Sequence, residues 1–274
     1  MCTYDLINEI FYFEIPLFFR RPKVWLRPIF YMTDPYTFTP LGDRAVVIKL
    51  LPQMSGKKYS MSAAGLCERI KLFDLQGITD IVPAFLQLAI HYDPVLWACV
   101  SSESPYDAIV QSLTERLADS EIHSDDRTSS LVRVPVCYDT EFGIDLEFLS
   151  LKLDLSIPDL IDLHKSPIYT VGAIGFAPGF AYLEGLNSKL VLPRRESPRT
   201  RVPKGSIAIA ANYTGIYPSE LPGGWHILGR TRTTFFQWSD NVGSLLAVGD
   251  RVQFDALSLT EFRSLESLSV IKDD

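Results

Sequence analysis

The sequence predicts an α+β protein of two domains: a ferredoxin-like α/β unit over residues 37–138, then a mainly β domain over 139–274 that closes as a barrel or a sandwich. Three observations carry this reading. Upstream, apolar runs and helical spacings follow one another in the order β-α-β-β-α-β, that of a split βαβ unit. Downstream, short apolar runs are separated by frequent Gly and Pro turn signals, a pattern of closed all-β architectures. At 274 residues the chain has length for two ordinary domains with a core each.

Residues 1–36 stand apart from both domains. They are rich in Phe, Tyr, Ile and Leu, but Glu9, Glu14, Arg20, Arg21, Lys23 and Arg27 break every apolar run short of a bilayer span. The order of a basic start, an apolar stretch and a small-residue cleavage site is also missing, so a signal peptide is not expected. Three readings stand: a disordered extension, an arm for an interface or partner, or a start placed too far upstream, with Met32 as the true one.

The elements follow in order. Residues 44–51 (RAVVIKLL) are a branched strand ended by Pro52 and Gly56. Residues 60–73 carry Met61, Ala64, Leu66, Cys67, Ile70 and Leu72 at helical spacing. Residues 78–85 and 86–92 read as two strands, with no two-residue turn signal between them. Residues 105–117 are an amphipathic helix with Ala108, Ile109, Leu113 and Leu117 on one face. Residues 131–138 (LVRVPVCY) are the last strand of the first domain, and Pro135 suggests an edge. Two short helices are expected over 142–151 and 157–164, with Pro158 suited to a first turn. Strands are expected over 168–176, 206–211, 226–228, 233–237 and 251–254.

Composition narrows the function. A net charge of −7 and a pI near 5.2 argue against general nucleic-acid binding, which wants a basic face. No nucleic-acid or membrane partner is expected. Cys2, Cys67, Cys99 and Cys137 form no CxxC pair and no zinc-type spacing, so no metal site is expected. Four reduced, mostly buried thiols in a cytoplasmic protein are the reading. Phosphate-loop, dinucleotide, HExxH and GxSxG motifs are absent, so a self-contained hydrolase of a common type is not expected.

The stretch 175–231 is the candidate site. It reads GFAPGFAYLEGLNSKLVLPRRESPRTRVPKGSIAIAANYTGIYPSELPGGWHILGRT. Its glycines and prolines shape loops between short strands, and Arg194, Arg195, Arg199 and Arg201 offer planar donors for carboxylate or phosphate oxygens. The same arginines read equally as a solvated loop paired to nearby acids. His226, after Gly223, Gly224 and Trp225, reads as a ligand-facing base or as a structural ring. His164, at a helix end, reads as a cap of its last carbonyls. Tyr217 and Trp225 read as pocket walls or plain core.

The strings GFAPGFAYLEGL (175–186), PRRESPRTRVPKGSIAIA (193–210), TGIYPSELPGGWHILGRT (214–231) and VGDRVQF (248–254) resemble the KipI-like, allophanate hydrolase subunit 1 family. Its bacterial representatives include the B component of 5-oxoprolinase. The similarity extends upstream through LGDRAVVIKL (41–50), IVPAFLQLAIHYDP (81–94) and VPVCYDTEFGIDLEFLS (134–150), and leaves residues 1–36 unmatched.

That resemblance implies an N-terminal α/β domain followed by a C-terminal cyclophilin-like β-barrel. It implies a subunit of an ATP-dependent 5-oxoprolinase, hydrolysing 5-oxoproline to L-glutamate and inactive alone, with ATP as co-substrate together with Mg. The implied partners are a KipA-like (allophanate hydrolase subunit 2) protein and a third subunit. The alternative it implies is a regulator that binds and inhibits a sensor histidine kinase. Carried over by residue, Arg199, Arg201 and His226 are the expected catalytic groups. Phe176, Pro178, Gly179, Phe180, Tyr213, Tyr217, Gly223, Gly224, Trp225 and Arg230 are the expected substrate-binding groups. The chain departs from the family at Ala211-Asn212-Tyr213, where relatives carry two glycines and a glutamine, and at Arg232, where they carry a proline.

Overall fold

A computed structural model describes residues 36–51, 62–98, 104–119, 130–239 and 242–265. The expectations for residues 1–35, and those for Cys2 and Cys99, lie outside the described residues. The chain divides near residue 128 into two compact units.

The upstream unit holds β1 (Tyr36–Leu41), β2 (Ala45–Leu50), α1 (Ala63–Lys71), β3 (Ile78–Ala84), β4 (Gln87–Tyr92), α2 (Pro94–Ala98) and α3 (Pro105–Asp119). Its sheet is antiparallel in the order β1-β2-β4-β3. Ile48, Leu66, Ile70, Ile90, Ile109 and Leu113 are fully buried between sheet and helices. Ser62 caps α1 by accepting from Gly65 N. The β3–β4 turn has no glycine: Phe85 itself takes φ +55°, which is why the sequence carried no turn signal. Asp93 starts α2 by accepting from Val95 N.

One expectation is corrected. The strand at 131–138 does not close a ferredoxin-like unit. The place beside β2 is taken from upstream by β1, through a register running from Tyr36↔Leu50 to Leu41↔Ala45. The expected strand is β5 (Leu131–Cys137), and it lies in the second unit. Its apolar alternation finds a seven-pair parallel partner in β15 (Arg251–Leu257). Pro135 is not on a sheet edge, but β12 (His226–Arg230) reaches β5 only at Arg230↔Cys137, so its missing N–H costs no ladder bond.

The downstream unit adds α4 (Leu146–Leu153), α5 (Ile157–Lys165), β6 (Tyr169–Ile174), β7 (Ala181–Glu184), β8 (Arg199–Val202), β9 (Ser206–Ala210), β10 (Tyr213–Ile216), β11 (Leu221–Gly223), β12 (His226–Arg230), β13 (Phe236–Ser239), β14 (Val242–Ser244) and, after β15, α6 (Leu259–Ser264). Seven strands form a closed barrel in the order β10-β7-β6-β15-β5-β12-β9. β8–β11 and β13–β14 are separate two-stranded ribbons. The strand expected over 233–237 begins only at Phe236. Closure leaves no barrel edge and fills the interior with Val132, Val134, Val171, Leu183, Ile207, Ile209, Leu228 and Phe254.

His164 is buried in this core and does not cap its helix. Its Nδ1 lies 2.8 Å from the Tyr138 hydroxyl and its Nε2 2.9 Å from Thr214 Oγ1. Thr214 gives its own proton to Ala208 O, so it accepts from Nε2–H, and Nδ1 accepts from Tyr138. Burial lowers the His164 pKa from 6.5 to about 3. The folded protein therefore keeps this ring neutral while the unfolded chain protonates it. The His164 contribution is complete above pH 6.5 and is lost as pH falls toward 3, at about 1.4 kcal/mol per unit. Chemical unfolding across that window should show this slope in the wild type and its loss in His164→Gln.

Candidate functional site

Two clusters occupy neighbouring loops and strand ends of the barrel. The first is aromatic. Phe180 is 1% exposed and meets Phe176, Tyr182, Tyr217 and Trp225 at centroid distances of 4.9 to 5.6 Å, three of them edge-on. Tyr182 extends the cluster to Tyr213 at 6.5 Å. Five of the expected substrate-binding rings thus come together.

Backbone geometry makes this packing possible. In the β6–β7 loop, Phe176 takes φ +73° and Gly179 φ +81°. A Cβ at Gly179 would press on Phe236 Cβ at 2.7 Å. Pro178 sits exposed at the turn. At Gly223 a Cβ would overlap Tyr217 Oη, so glycine lets that phenol tuck under the strand. Burial pushes the Tyr217 pKa up to about 12, against the pull of the Arg194 and Arg199 charges.

The second cluster is polar and centres on Asp145, which the sequence reading missed. Asp145 is 3% exposed and stands at the N-cap of α4, yet its carboxylate makes no cap bond. Oδ1 accepts from Arg199 Nη2 at 2.6 Å and Arg195 Nη1 at 3.2 Å, and Oδ2 accepts from Ile227 N at 2.7 Å. Gly143 brings this turn against β12, since a Cβ there would overlap Leu228 O. An Asp before an apolar run reads as an N-cap from sequence; only the tertiary pairing with β12 reveals its other partners.

His226 opens β12 beside this carboxylate. Its Nε2–H donates to Pro193 O at 3.1 Å, and the Phe148 ring stacks on it at 5.6 Å, within 8° of parallel. Burial lowers its pKa and the Arg195 and Arg199 charges add to this, against Pro193 and Asp145. Gly224 contributes its carbonyl to Arg195 N, fastening the arginine loop to the β11–β12 turn.

Two expected residues lie outside both clusters. Arg201 is 79% exposed and pairs with Glu220 at 2.8 Å. The cause is a bulge: Val202 pairs with Leu221 and Arg199 with Gly223, so three steps of β8 face two of β11 and the alternation resets. Arg230 ends β12, about 13 Å along the strand from His226 at 3.3 Å per residue. It lies over the Phe142 ring, 5.1 Å from the centroid. Among the described residues no three of His, Cys, Asp or Glu come together as a metal site. No described helix is long and apolar enough to cross a membrane.

The family model for the carboxyltransferase domain, subdomain C and D, matches residues 36–246. The chain belongs to that family. Within this carboxyltransferase family, the B component of 5-oxoprolinase from Bacillus subtilis (strain 168) is 34% identical over 248 residues, 87% of this chain and 100% of that protein. The Haemophilus influenzae protein of the same name is 35% identical over 216 residues, 78% of this chain and 95% of its own length. The crystal structure of TTHA0988 matches with a TM-score of 0.64 at 31% identity, over 78% of this chain and 40% of that one. The chain therefore spans less than half of that longer protein. Kluyveromyces lactis urea carboxylase shares the fold, with a TM-score of 0.63 at 18% identity over 84% of this chain and 22% of that one.

The departure at Ala211 has a structural meaning. Ala211 and Asn212 form the two-residue β9–β10 turn, and Ala211 takes φ +48°, a conformation that favours glycine. Ala211→Gly should stabilise the protein by about 1 kcal/mol in denaturant titrations. Gly223→Ala should do the opposite by displacing the buried Tyr217, lowering stability by about 2 kcal/mol and shifting the emission of Trp225 beside it.

Proposed function

We propose that this chain is one subunit of an ATP-dependent 5-oxoprolinase, adding water across the ring amide of 5-oxoproline to leave L-glutamate. The observation that carries the reading is the Asp145–Arg195–Arg199–His226 cluster beside an aromatic wall, a site built for a small polar ligand. Relatives named as 5-oxoprolinase subunits match it over nearly their whole length. In this reading the barrel is of the cyclophilin-like kind and the protein works in the cytoplasm. Cys67 and Cys137 are buried thiols outside any disulfide and fit a reducing compartment.

The chain acts with a KipA-like subunit and a third subunit. Support for a partner comes from α4, whose two faces are both apolar. Leu146 and Leu149 are fully buried, while Phe148 and Leu151 on the helix, and Ile144 just before it, are 49%, 85% and 51% exposed. Two adjoining apolar groups and a flanking one on a single exposed stretch suit a protein interface. ATP supplies the drive for opening an unstrained amide. Among the described residues no three of His, Cys, Asp or Glu converge, and in this reading the nucleotide and its Mg belong to the assembled complex.

Glutamate release from 5-oxoproline, followed with ATP and all three purified subunits, tests this. Arg199→Ala should lower kcat/KM about 100-fold, the scale of losing a buried charged donor, while Arg201→Ala should stay within about 3-fold. An absence of release from the full set would refute the assignment.

A further inference from the structure

The end of β12 carries a cationic surface that lies apart from the Asp145 cluster. Arg230 is the last residue of the strand, and Thr231 and Thr233 beyond it are buried and joined hydroxyl to hydroxyl by a hydrogen bond of 3.1 Å. Arg232 between them is exposed, so Arg230 and Arg232 leave the backbone on the same outer side. Arg230 lies over the Phe142 ring, Arg232 lies over the Phe262 ring at 4.9 Å from its centroid, and the two rings pack 4.8 Å apart. Two residues of chain separate the arginine Cα atoms by no more than about 7 Å. One diphosphate-sized anion therefore reaches both. Thr231 N donates to Gly205 O at 2.8 Å, which brings the exposed Lys204 to the same end of the barrel.

Among the described residues no carboxylate pairs with any of these three cations. Glu141, whose charge acts on Arg230, is bonded to Arg263. Glu261, next to Phe262, is committed to the Ser258 cap. Arg230 is partly buried, and desolvation lowers its pKa against the pull of Glu141. A guanidinium held in this state is stabilised by an added anion. Its Nε is enclosed, but its two terminal nitrogens have neither partner nor cover and form the edge that faces outward. Stacking on a ring face fixes the plane of each guanidinium and leaves that edge free to donate.

We propose that Arg230, Arg232 and Lys204 form a binding site for a phosphoryl group, free or at the end of a larger molecule. A carboxylate carries one charge and two oxygens, and leaves most of the positive charge uncompensated. A phosphoryl group brings nearly two charges and three acceptor oxygens, enough for a donor edge from each arginine and for the Lys204 ammonium. On a chain of net charge −7 such a site works by local placement and not by overall attraction. Arg232 is one of the positions at which the sequence departs from the family it resembles, so the site does not follow from that family and is independent of the 5-oxoprolinase reading.

The test is calorimetric titration of the full chain at low, fixed ionic strength with inorganic phosphate, pyrophosphate, ATP and acetate in separate runs. Phosphate or pyrophosphate should bind saturably at one site, and acetate at the same concentration should not. Arg232→Gln, at an exposed position, should weaken that binding at least about tenfold at an unchanged Tm. Arg133→Gln removes an exposed arginine that pairs with Asp255 on another part of the barrel, and should leave binding within about twofold. ATP bound no more tightly than pyrophosphate identifies the free anion as the source. Tighter ATP binding that is also lost in Arg232→Gln identifies a nucleotide, and either result supports the site. Binding that survives Arg232→Gln, an equal loss in Arg133→Gln, an equal response to acetate, or no saturable binding of any phosphorylated probe overturns it.

Discussion

Asp145 stands where a helix would ordinarily take its carboxylate as a cap, and instead turns both oxygens toward Ile227 N–H and two guanidinium groups. That choice fixes much of the downstream unit's functional end. It ties α4 to β12, holds the loop carrying Arg195 against the β11–β12 turn, and sets the orientation of Arg199 at the start of β8. A buried carboxylate shared in this way adds little net stability, since desolvating the charges offsets their attraction. Its removal is another matter. Two partly buried guanidinium groups would lose their counter-charge, and breaking such a pair costs about 3–5 kcal/mol. The arrangement is better understood as specifying geometry than as supplying stability.

The two buried histidines of the barrel show the difference between structure and site. His164 and His226 are both nearly inaccessible and both held neutral by burial. His164 has each ring nitrogen matched, by Tyr138 and Thr214, and rings on three sides. Its polar network is complete and needs nothing further. His226 has one nitrogen matched and one not, among guanidinium groups in the same condition. Buried polar atoms are nearly always satisfied, so the network around His226 is the less complete of the two.

Much of this was legible in the sequence and some could not be. Short apolar runs bounded by turn signals, such as 206–210, and amphipathic helices, such as 105–119, depend on local spacing, and local spacing is what a sequence displays. Strand partnership is not local. The run 131–137 reads as a strand from its own residues, but whether it completes the upstream sheet or the barrel depends on β1 and β15, the latter 120 residues away. The aromatic wall was foreseeable because glycine and proline mark loops that rings can line. Asp145 was not, because an Asp before an apolar run reads as an ordinary cap. The separate fates of Arg199 and Arg201 were hidden for a similar reason. Two residues apart on a regular strand they would share a face, and only the bulge against β11 separates them.

The exposed side of α4 connects the assembly question to the chemistry. Phe148 is half exposed, yet its ring lies flat on His226, so it belongs to the apolar outer face and to the site at once. Whatever covers Ile144, Phe148 and Leu151 also removes water from one side of the imidazole. Lower local dielectric strengthens the hydrogen bonds of Asp145 with the arginines and those of any ligand matched to the cluster. It also raises the cost of charging His226, which holds Nδ1 more firmly as an acceptor. A partner docked on this face would therefore strengthen the cluster without contributing a single atom to it. On this argument the proposed partner face and the electrostatics of the site have one physical origin, the placement of Phe148 between solvent and His226.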